Sequence, residues 1–362
     1  MRKMMALIFV FVLSGCGLIN QTGVPSEKIA VESEAKGFDN LIWLPDGRLM
    51  VFVALPEHDV FGLRWYAIAD EWEPKELAFP AHESCLRGGY YWGPSLLPDG
   101  RLSFLEQCVN PGAGEDSLYM LAYDLKSGQS EFLMDTSLPF DRVVFNSQYS
   151  WNPNMTLGMA DLWGDVSSIY WISPIGYEFP DITISETYNG EARSWSLAEN
   201  EAALNDPEKV PEVGMARYPA WSPDGNTIAF MATTGPIGRK YAERHLSIWS
   251  LYLMEPEIQE PEQVLTSINN PFLVKWSPDG NWLLLGGQMG GFGDYGYWLY
   301  SPESEQLTFI LKNVDPRAVW SPDSTKIAYM DCEKFSTRFD TFGNCIQTNL
   351  NVLDVSTVTQ DE

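Results

Sequence analysis

The chain alternates short apolar runs with shorter polar breaks. Runs such as "YPAW" (218–221), "TIAFMA" (227–232), "FLVKW" (272–276) and "WLLLGG" (282–287) are bounded by Ser, Pro, Asp and Gly. They are too short for helices and lack the three-to-four-residue recurrence of a helical face, so they predict strands. Their near-continuous apolar character predicts strands covered on both faces. Between the members of a pair stands "SPDG", in which Pro presets the second position of a turn, Asp accepts from nearby backbone N–H groups and Gly takes the positive φ that closes a hairpin with a bulge. Further runs, "GLRWYAIAD" (62–70), "SLYMLAYDL" (117–125), "SIYWIS" (168–173), "SIWSLYLM" (247–254), "YGYWLYS" (295–301) and "TNLNVLDV" (348–355), read as third strands. "KELAFP", "SEFLMDT" and "EQVLTS" read as fourth strands.

The strand–turn–strand unit recurs. "WSPDGNTIAF" (221–230), "WSPDGNWLLL" (276–285) and "WSPDSTKIAY" (320–329) are joined by "WLPDGRLMVF" (43–52), "LLPDGRLSFL" (96–105) and a worn "WNPNMTLGM" (151–159). Their fourth residues are Asp46, Asp99, Asn154, Asp224, Asp279 and Asp323, spaced by 53, 55, 70, 55 and 44. A period near fifty residues of β-type sequence is the spacing of propeller blades. The fold class expected is therefore all-β, a six-bladed β-propeller of four-stranded antiparallel blades over 38–355. The last blade runs out of chain, so "EKIAVES" (27–33) is expected to supply its fourth strand and close the ring, with closure by the C-terminal residues as the alternative. In the last copy Ser324 replaces the turn glycine. The third copy reads as one residue short, with Asn154 in place of Asp; both turns should be strained or differently shaped.

The unit "P-x-W-S-P-D-G-x-x-I-A-F", matched most fully at 219–230, resembles the repeat of TolB-type six-bladed propellers, which is found also in the propellers of prolyl-oligopeptidase relatives and in many bacterial lipoproteins. The resemblance covers about 38–355, most strongly in the last three blades. It implies a fold; the extra domains that give TolB and the peptidases their roles have no counterpart in the sequence, and fold alone does not give function.

Ahead of the repeats, Arg2 and Lys3 precede the apolar "MMALIFVFV" (4–12), about half the length needed to span a bilayer, so residues 1–15 read as an export signal. The following "LSGC" resembles the bacterial lipobox, which implies that Cys16 is acylated and becomes the first residue of the mature chain. The acyl groups would hold the protein to a membrane of the cell envelope, with 16–37 as a tether. Four cysteines remain, Cys85, Cys108, Cys332 and Cys345. Export lets them pair, and of three possible connectivities the neighbour pairing Cys85–Cys108 and Cys332–Cys345 is expected.

Charge narrows the partners. The chain carries 23 basic and 49 acidic residues, a net charge of −26; removal of the signal with Arg2 and Lys3 makes it −28. That sign excludes a nucleic-acid partner, and it suits solubility of an exported protein. No Gly-x-Ser-x-Gly, His-Glu-x-x-His or phosphate-binding glycine loop occurs. No cofactor and no metal site is assigned. A hydrolase or lyase with calcium in the channel is the alternative to a binding and assembly module. Loop lengths place the binding surface. First-to-second turns are tight, whereas the opposite face receives "CVNPGAGED" (108–116), "TTGPIGRKYAERH" (233–245), "GGQMGGFGDYG" (286–296), "DCEKFSTRFDTFGNC" (331–345) and the extra segment near 185–215, where "SLAE" (196–199) would cap a short helix. The candidate binding residues on that face are Arg239, Lys240, Tyr241, Arg244, His245, Phe292, Tyr295, Lys334, Phe335, Arg338 and Phe339, since arginine and aromatic side chains in company are the usual anchors of an interface. The partner expected there is an envelope protein or a glycan-like ligand, bound by a monomer.

Overall fold

The computed structural model describes residues 26–29, 38–53, 65–69, 73, 75–77, 85, 89–108, 117–134, 148–162, 168–173, 176–178, 186–188, 191–193, 215–233, 248–258, 261–289, 294–312, 317–335 and 345–359. The first strand, β1 (Ser26–Ile29), stands apart from those that follow it in sequence. β2 (Phe38–Trp43), β3 (Leu49–Val53), β4 (Trp65–Ile68) and β5 (Lys75–Glu76) form an antiparallel sheet in chain order. So do β6 (Gly89–Leu96), β7 (Leu102–Cys108), β8 (Ser117–Asp124) and β9 (Gln129–Phe132), and then β10 (Gln148–Trp151), β11 (Gly158–Leu162), β12 (Ser168–Ser173) and β13 (Gly176–Glu178). The wider interval between the third and fourth repeats holds a hairpin, β14 (Glu186–Tyr188) with β15 (Glu191–Arg193); the expected helix at 196–199 lies outside the described residues.

Beyond it, β16 (Met215–Trp221), β17 (Ile228–Thr233), β18 (Ile248–Met254), β19 (Glu262–Trp276), β20 (Leu283–Gln288), β21 (Tyr295–Tyr300) and β22 (Leu307–Lys312) make one seven-stranded sheet. "EQVLTS" and "FLVKW" were expected as separate strands of adjacent blades. They are the two ends of the 15-residue β19, which pairs β18 through its first part and β20 through its second. Bulges turn the strand between the two, where Ser267 (φ 61°) and Asn270 (φ 47°) take left-handed conformations. A short polar side chain can hydrogen-bond locally, which makes this conformation cheaper for it than for a branched one. Finally β23 (Ala318–Trp320), β24 (Lys326–Phe335) and β25 (Cys345–Asp354) are completed by β1, which pairs with β25 from Ser26↔Leu353 to Ile29↔Leu350. A short helix, α1 (Ser356–Thr359), follows.

The core lies between successive sheets. Ile42, Met50 and Phe52 of the first sheet pack on Leu102, Phe104 and Leu121 of the second. Leu105 and Met120 pack on Tyr149 and Trp151 of the third, whose Met159 packs on Trp221, Ile228 and Phe230. Within the long sheet Trp249 and Leu251 meet Leu285 and Trp298, and its Leu284 and Tyr297 meet Trp320 and Tyr329 of the last sheet. The last cluster joins the two ends of the series: Leu41, Leu49 and Val51 pack on Ala328, Met330 and Leu350. An apolar surface on both faces of each sheet, read in the sequence as unbroken hydrophobic runs, is thus consumed by a neighbour on each side. Each fully buried Leu, Phe or Met contributes about 1.5–3 kcal/mol. The architecture is a β-propeller of antiparallel sheets.

Candidate functional site

The repeated turns gather at one end of the propeller, and their chemistry comes in two forms. In the first two copies the strand pair is closed by Leu44 N–H to Arg48 O and Leu97 N–H to Arg101 O, each at 2.8 Å. The later copies are one residue longer, with Ser222 N–H to Thr227 O, Ser277 N–H to Trp282 O and Ser321 N–H to Lys326 O, each also at 2.8 Å. The residue before Pro follows the length. Leu serves the short form, while in the long form the serine hydroxyl accepts from the additional N–H group: Thr227 N to Ser222 Oγ is 2.9 Å, and Ser222 Oγ donates in turn to Asp224 Oδ1 at 2.5 Å. The sequence makes the third copy look one residue short. It is not: Asn152 N–H reaches Leu157 O, the long form, and Asn152 Oδ1 accepts from Thr156 and Leu157 as serine does elsewhere. Met155 (φ 57°) and Ser324 (φ 60°) occupy the glycine position of their turns and keep its left-handed conformation. Strain is present without a change of shape.

Successive turns touch. A Cβ at Gly225 would lie 2.9 Å from Pro153, one at Gly280 3.8 Å from Pro223, and one at Gly100 3.9 Å from Pro45; Asp279 N–H donates to Ser324 Oγ at 3.0 Å. The first strands are linked beneath them. Tyr149 Oη donates to Gly93 O at 2.7 Å and accepts from Ser103 Oγ at 2.9 Å, and Trp221 N–H donates to Ser150 Oγ. The indoles of Trp276 and Trp320 reach back to Ala220 O (3.0 Å) and Lys275 O (3.4 Å). Trp151 occupies the same register, yet its buried Nε1 has no hydrogen-bond partner.

Around Trp151 the turns part to leave a cavity of about 470 Å³, lined by Pro45, Pro98, Pro153, Pro223 and Pro278 from five turns, and by Leu96, Leu97, Tyr149, Trp151 and Trp221 below, with Ser95, Ser150 and Ser222 among them. Among the described residues that line it there is no Asp, Glu, His, Lys, Arg or Cys. Tyr149 is the one titratable group among those described residues, and burial raises the hydroxyl above its ordinary range. Just outside stand the turn carboxylates. Asp46 is paired with Arg48 and Asp99 with Arg101. Asp224 and Asp323 are held below the usual carboxylate range chiefly by the hydroxyls of Ser222 and Ser321.

Few of the sequence-derived residues can be placed beside this cavity. Cys16, Arg239, Lys240, Tyr241, Arg244, His245, Phe292, Arg338 and Phe339 lie outside the described residues. Lys334 and Phe335 belong to the backbone of β24, with side chains outside those described. Tyr295 opens β21, 39% exposed, its ring 5.2 Å from that of Phe272. Cys85 and Cys108 are disulfide-bonded with Cα atoms 5.1 Å apart. Cys332 and Cys345 are backbone neighbours of Thr348 and Phe335 across the β24–β25 hairpin, their own side chains again outside those described. Among the described residues the one grouping with metal-ligand spacing is Cys85, Glu106 and Cys108, and two of its three members are the bonded cysteines; Glu106 accepts from Tyr91 Oη at 3.0 Å. Variation among loops points away from the turn end, where the signal is the opposite one, a proline kept at one register in every repeat.

No protein-family model matches the chain, and neither does any curated protein. Solved structures do. An oligogalacturonate lyase in complex with manganese is similar at a TM-score of 0.52 and 13% identity, over 89% of this chain and 78% of that one. TolB from Acinetobacter baumannii gives 0.46 and 14%, over 88% of this chain, which spans 63% of that protein's length. An α-L-arabinanase from Penicillium chrysogenum complexed with arabinobiose gives 0.49 and 11%, over 92% and 99%. At such identities the likeness is one of fold: this chain is built as a β-propeller, as the lyase is.

Proposed function

We propose that the chain is an exported β-propeller of six blades, anchored by a lipidated Cys16 to a membrane of the cell envelope, which binds a partner without transforming it. The observation that carries the binding reading is the cavity whose described lining residues include no acid, base or nucleophile pair. General acid–base catalysis needs a titratable group within hydrogen-bond reach of the reacting atoms, and nucleophilic catalysis needs a base beside the nucleophile. Here Tyr149 Oη is engaged by Gly93 and Ser103, Ser150 Oγ accepts from a backbone N–H, and Ser222 Oγ donates to the carboxylate of its own turn. Apolar walls with a few fixed polar groups are instead the make-up of a ligand site.

Counting β19 twice, as the outer strand of one blade and the inner strand of the next, supports the reading of six blades. Anchoring rests on "LSGC" after a short apolar run; among the described residues no helix is long and apolar enough to cross a membrane. The long-loop face, with Arg239, Tyr241 and Arg338, remains part of the proposal as a second contact surface for an envelope protein or glycan-like ligand. Intact-mass analysis of membrane-extracted protein tests the anchor, with acyl mass on a chain beginning at Cys16 as the expected result. Metal analysis and turnover assays on the same preparation test the rest: stoichiometric calcium, or cleavage of an oligosaccharide at an enzymatic rate, would overturn the binding reading in favour of the hydrolase or lyase.

A further inference from the structure

We propose that the turn-side cavity seats a short, cationic, proline-bearing peptide segment of a partner protein; this rests on the binding reading above and names the ligand class. The lining is the first ground. Five proline rings and the side chains of Leu96, Tyr149, Trp151 and Trp221 offer flat apolar surface. Three of the nearby hydroxyls are already engaged: Tyr149 between Gly93 and Ser103, Ser150 as acceptor from Trp221 N–H, and Ser222 with Asp224 and Thr227. A sugar carries a hydroxyl on nearly every carbon and would surrender its water there for few protein partners, an unfavourable exchange. A proline-rich segment has no N–H to desolvate at each proline and is already extended, which is why aromatic-lined grooves select it. The volume, about 470 Å³, lies in the range of roughly 300–1,000 Å³ typical of ligand sites.

Charge is the second, independent ground. Asp224 and Asp279 directly follow the lining residues Pro223 and Pro278, and Asp323 follows Pro322 in the next turn. All three are exposed and accept from serine hydroxyls of their own turns, at 2.5, 2.5 and 2.6 Å. Unlike Asp46 and Asp99, none of them is ion-paired with a described residue. Three carboxylates without an ion-pair partner among the described residues, in the turns that carry or adjoin the cavity's proline rim, on a chain of net charge −26, attract Lys and Arg and repel acidic ligands.

The test uses the mature chain and two fluorescein-labelled peptides, one repeating Lys-Pro-Pro and one repeating Glu-Pro-Pro, followed by anisotropy with chitotetraose as a neutral competitor. The lysine peptide should bind, the glutamate peptide should not, and raising the salt to 1 M should weaken binding about tenfold as exposed charges are screened. Asp224→Asn, Asp279→Asn and Asp323→Asn together keep acceptors for the serine hydroxyls while removing the charge, and should weaken binding about tenfold with a flatter salt dependence. Ser95→Phe fills the cavity and should abolish binding; Pro98→Lys, an exposed change that sets a cation at the rim, should do so where the first variant fails to fold. Equal binding of the two peptides, or affinity unaltered in these variants, overturns the assignment. If chitotetraose binds and neither peptide does, the ligand class is wrong and the binding reading survives; hydrolysis of either probe would remove both.

Discussion

Lys275 stands on the inner strand β19 with its Nζ 3.0 Å from Ala318 O, and burial lowers its pKa from the ordinary 10.5 to about 8. The charged form is the one the folded chain disfavours. Below pH 8 both states hold the proton and the folded state bears the whole desolvation cost. Between pH 8 and 10.5 the unfolded chain binds more protons than the folded one, so stability rises with pH across that window. Lys275→Met should therefore be more stable than the wild type at pH 7, by about 2 kcal/mol, and the advantage should shrink toward pH 10. Urea titrations at several pH values check the sign; a difference constant with pH would mean that packing, not charge, is responsible. Tyr149 is the opposite case, a buried polar group with both its hydrogen bonds made. Tyr149→Phe leaves Gly93 O and Ser103 Oγ without this partner and should cost about 1–2 kcal/mol. A double-mutant cycle with Ser103→Ala should show coupling, since the two side chains share one bond.

At the scale of elements the turns explain why the repeats drift without losing shape. Ser324 holds φ 60° where four sister turns have glycine at 77–85°. A left-handed conformation costs a residue with a Cβ about 1–2 kcal/mol. Its hydroxyl recovers part of that by accepting from Asp279 N–H in the preceding turn. Ser324→Gly should then be near neutral, strain relieved against a bond lost, while Ser324→Ala should destabilise by about 1 kcal/mol because the strain stays and the bond goes. Thermal unfolding of the two variants side by side separates the terms. The serine before the proline in the last three repeats was legible in sequence as a repeated letter. Its role was not, because the longer turn whose extra N–H it satisfies is visible only when the strand pairing is known.

At the scale of the whole molecule the ring depends on a strand from the far end of the chain. β1 covers the edge of β25, and Leu41 and Val51 pack on Met330 and Leu350 across the same closure. An uncovered edge strand is a template for pairing with another chain. A chain begun at Phe38 should unfold at lower temperature and self-associate, whereas one begun at Val24 should match one begun at Gly17 in both respects. Light scattering and differential scanning calorimetry on the two truncations decide; equal behaviour would mean that β1 adds nothing to closure.

Much of this architecture is local in origin and was therefore present in the sequence. The apolar runs fix where strands form, because a pleated strand buried on both faces has no other composition; the Pro-Asp-Gly breaks fix where they turn, because few residues supply those dihedral angles. The period follows from repeating the two, and the spare segment before Phe38 marked the strand that closes the sheet of β23 to β25. What depends on distance in space was not there to read. Sequence gives no sign that the fourth and fifth repeats share the continuous β19, since the bulge at Ser267 to Asn270 is stabilised by partners on two different strands. Nor does it reveal the cavity. Prolines some fifty residues apart become one rim only when the ring brings five turns together, and the space opens beside Trp151, whose indole finds no acceptor, while Trp276 and Trp320 at the same register find theirs in the neighbouring strand.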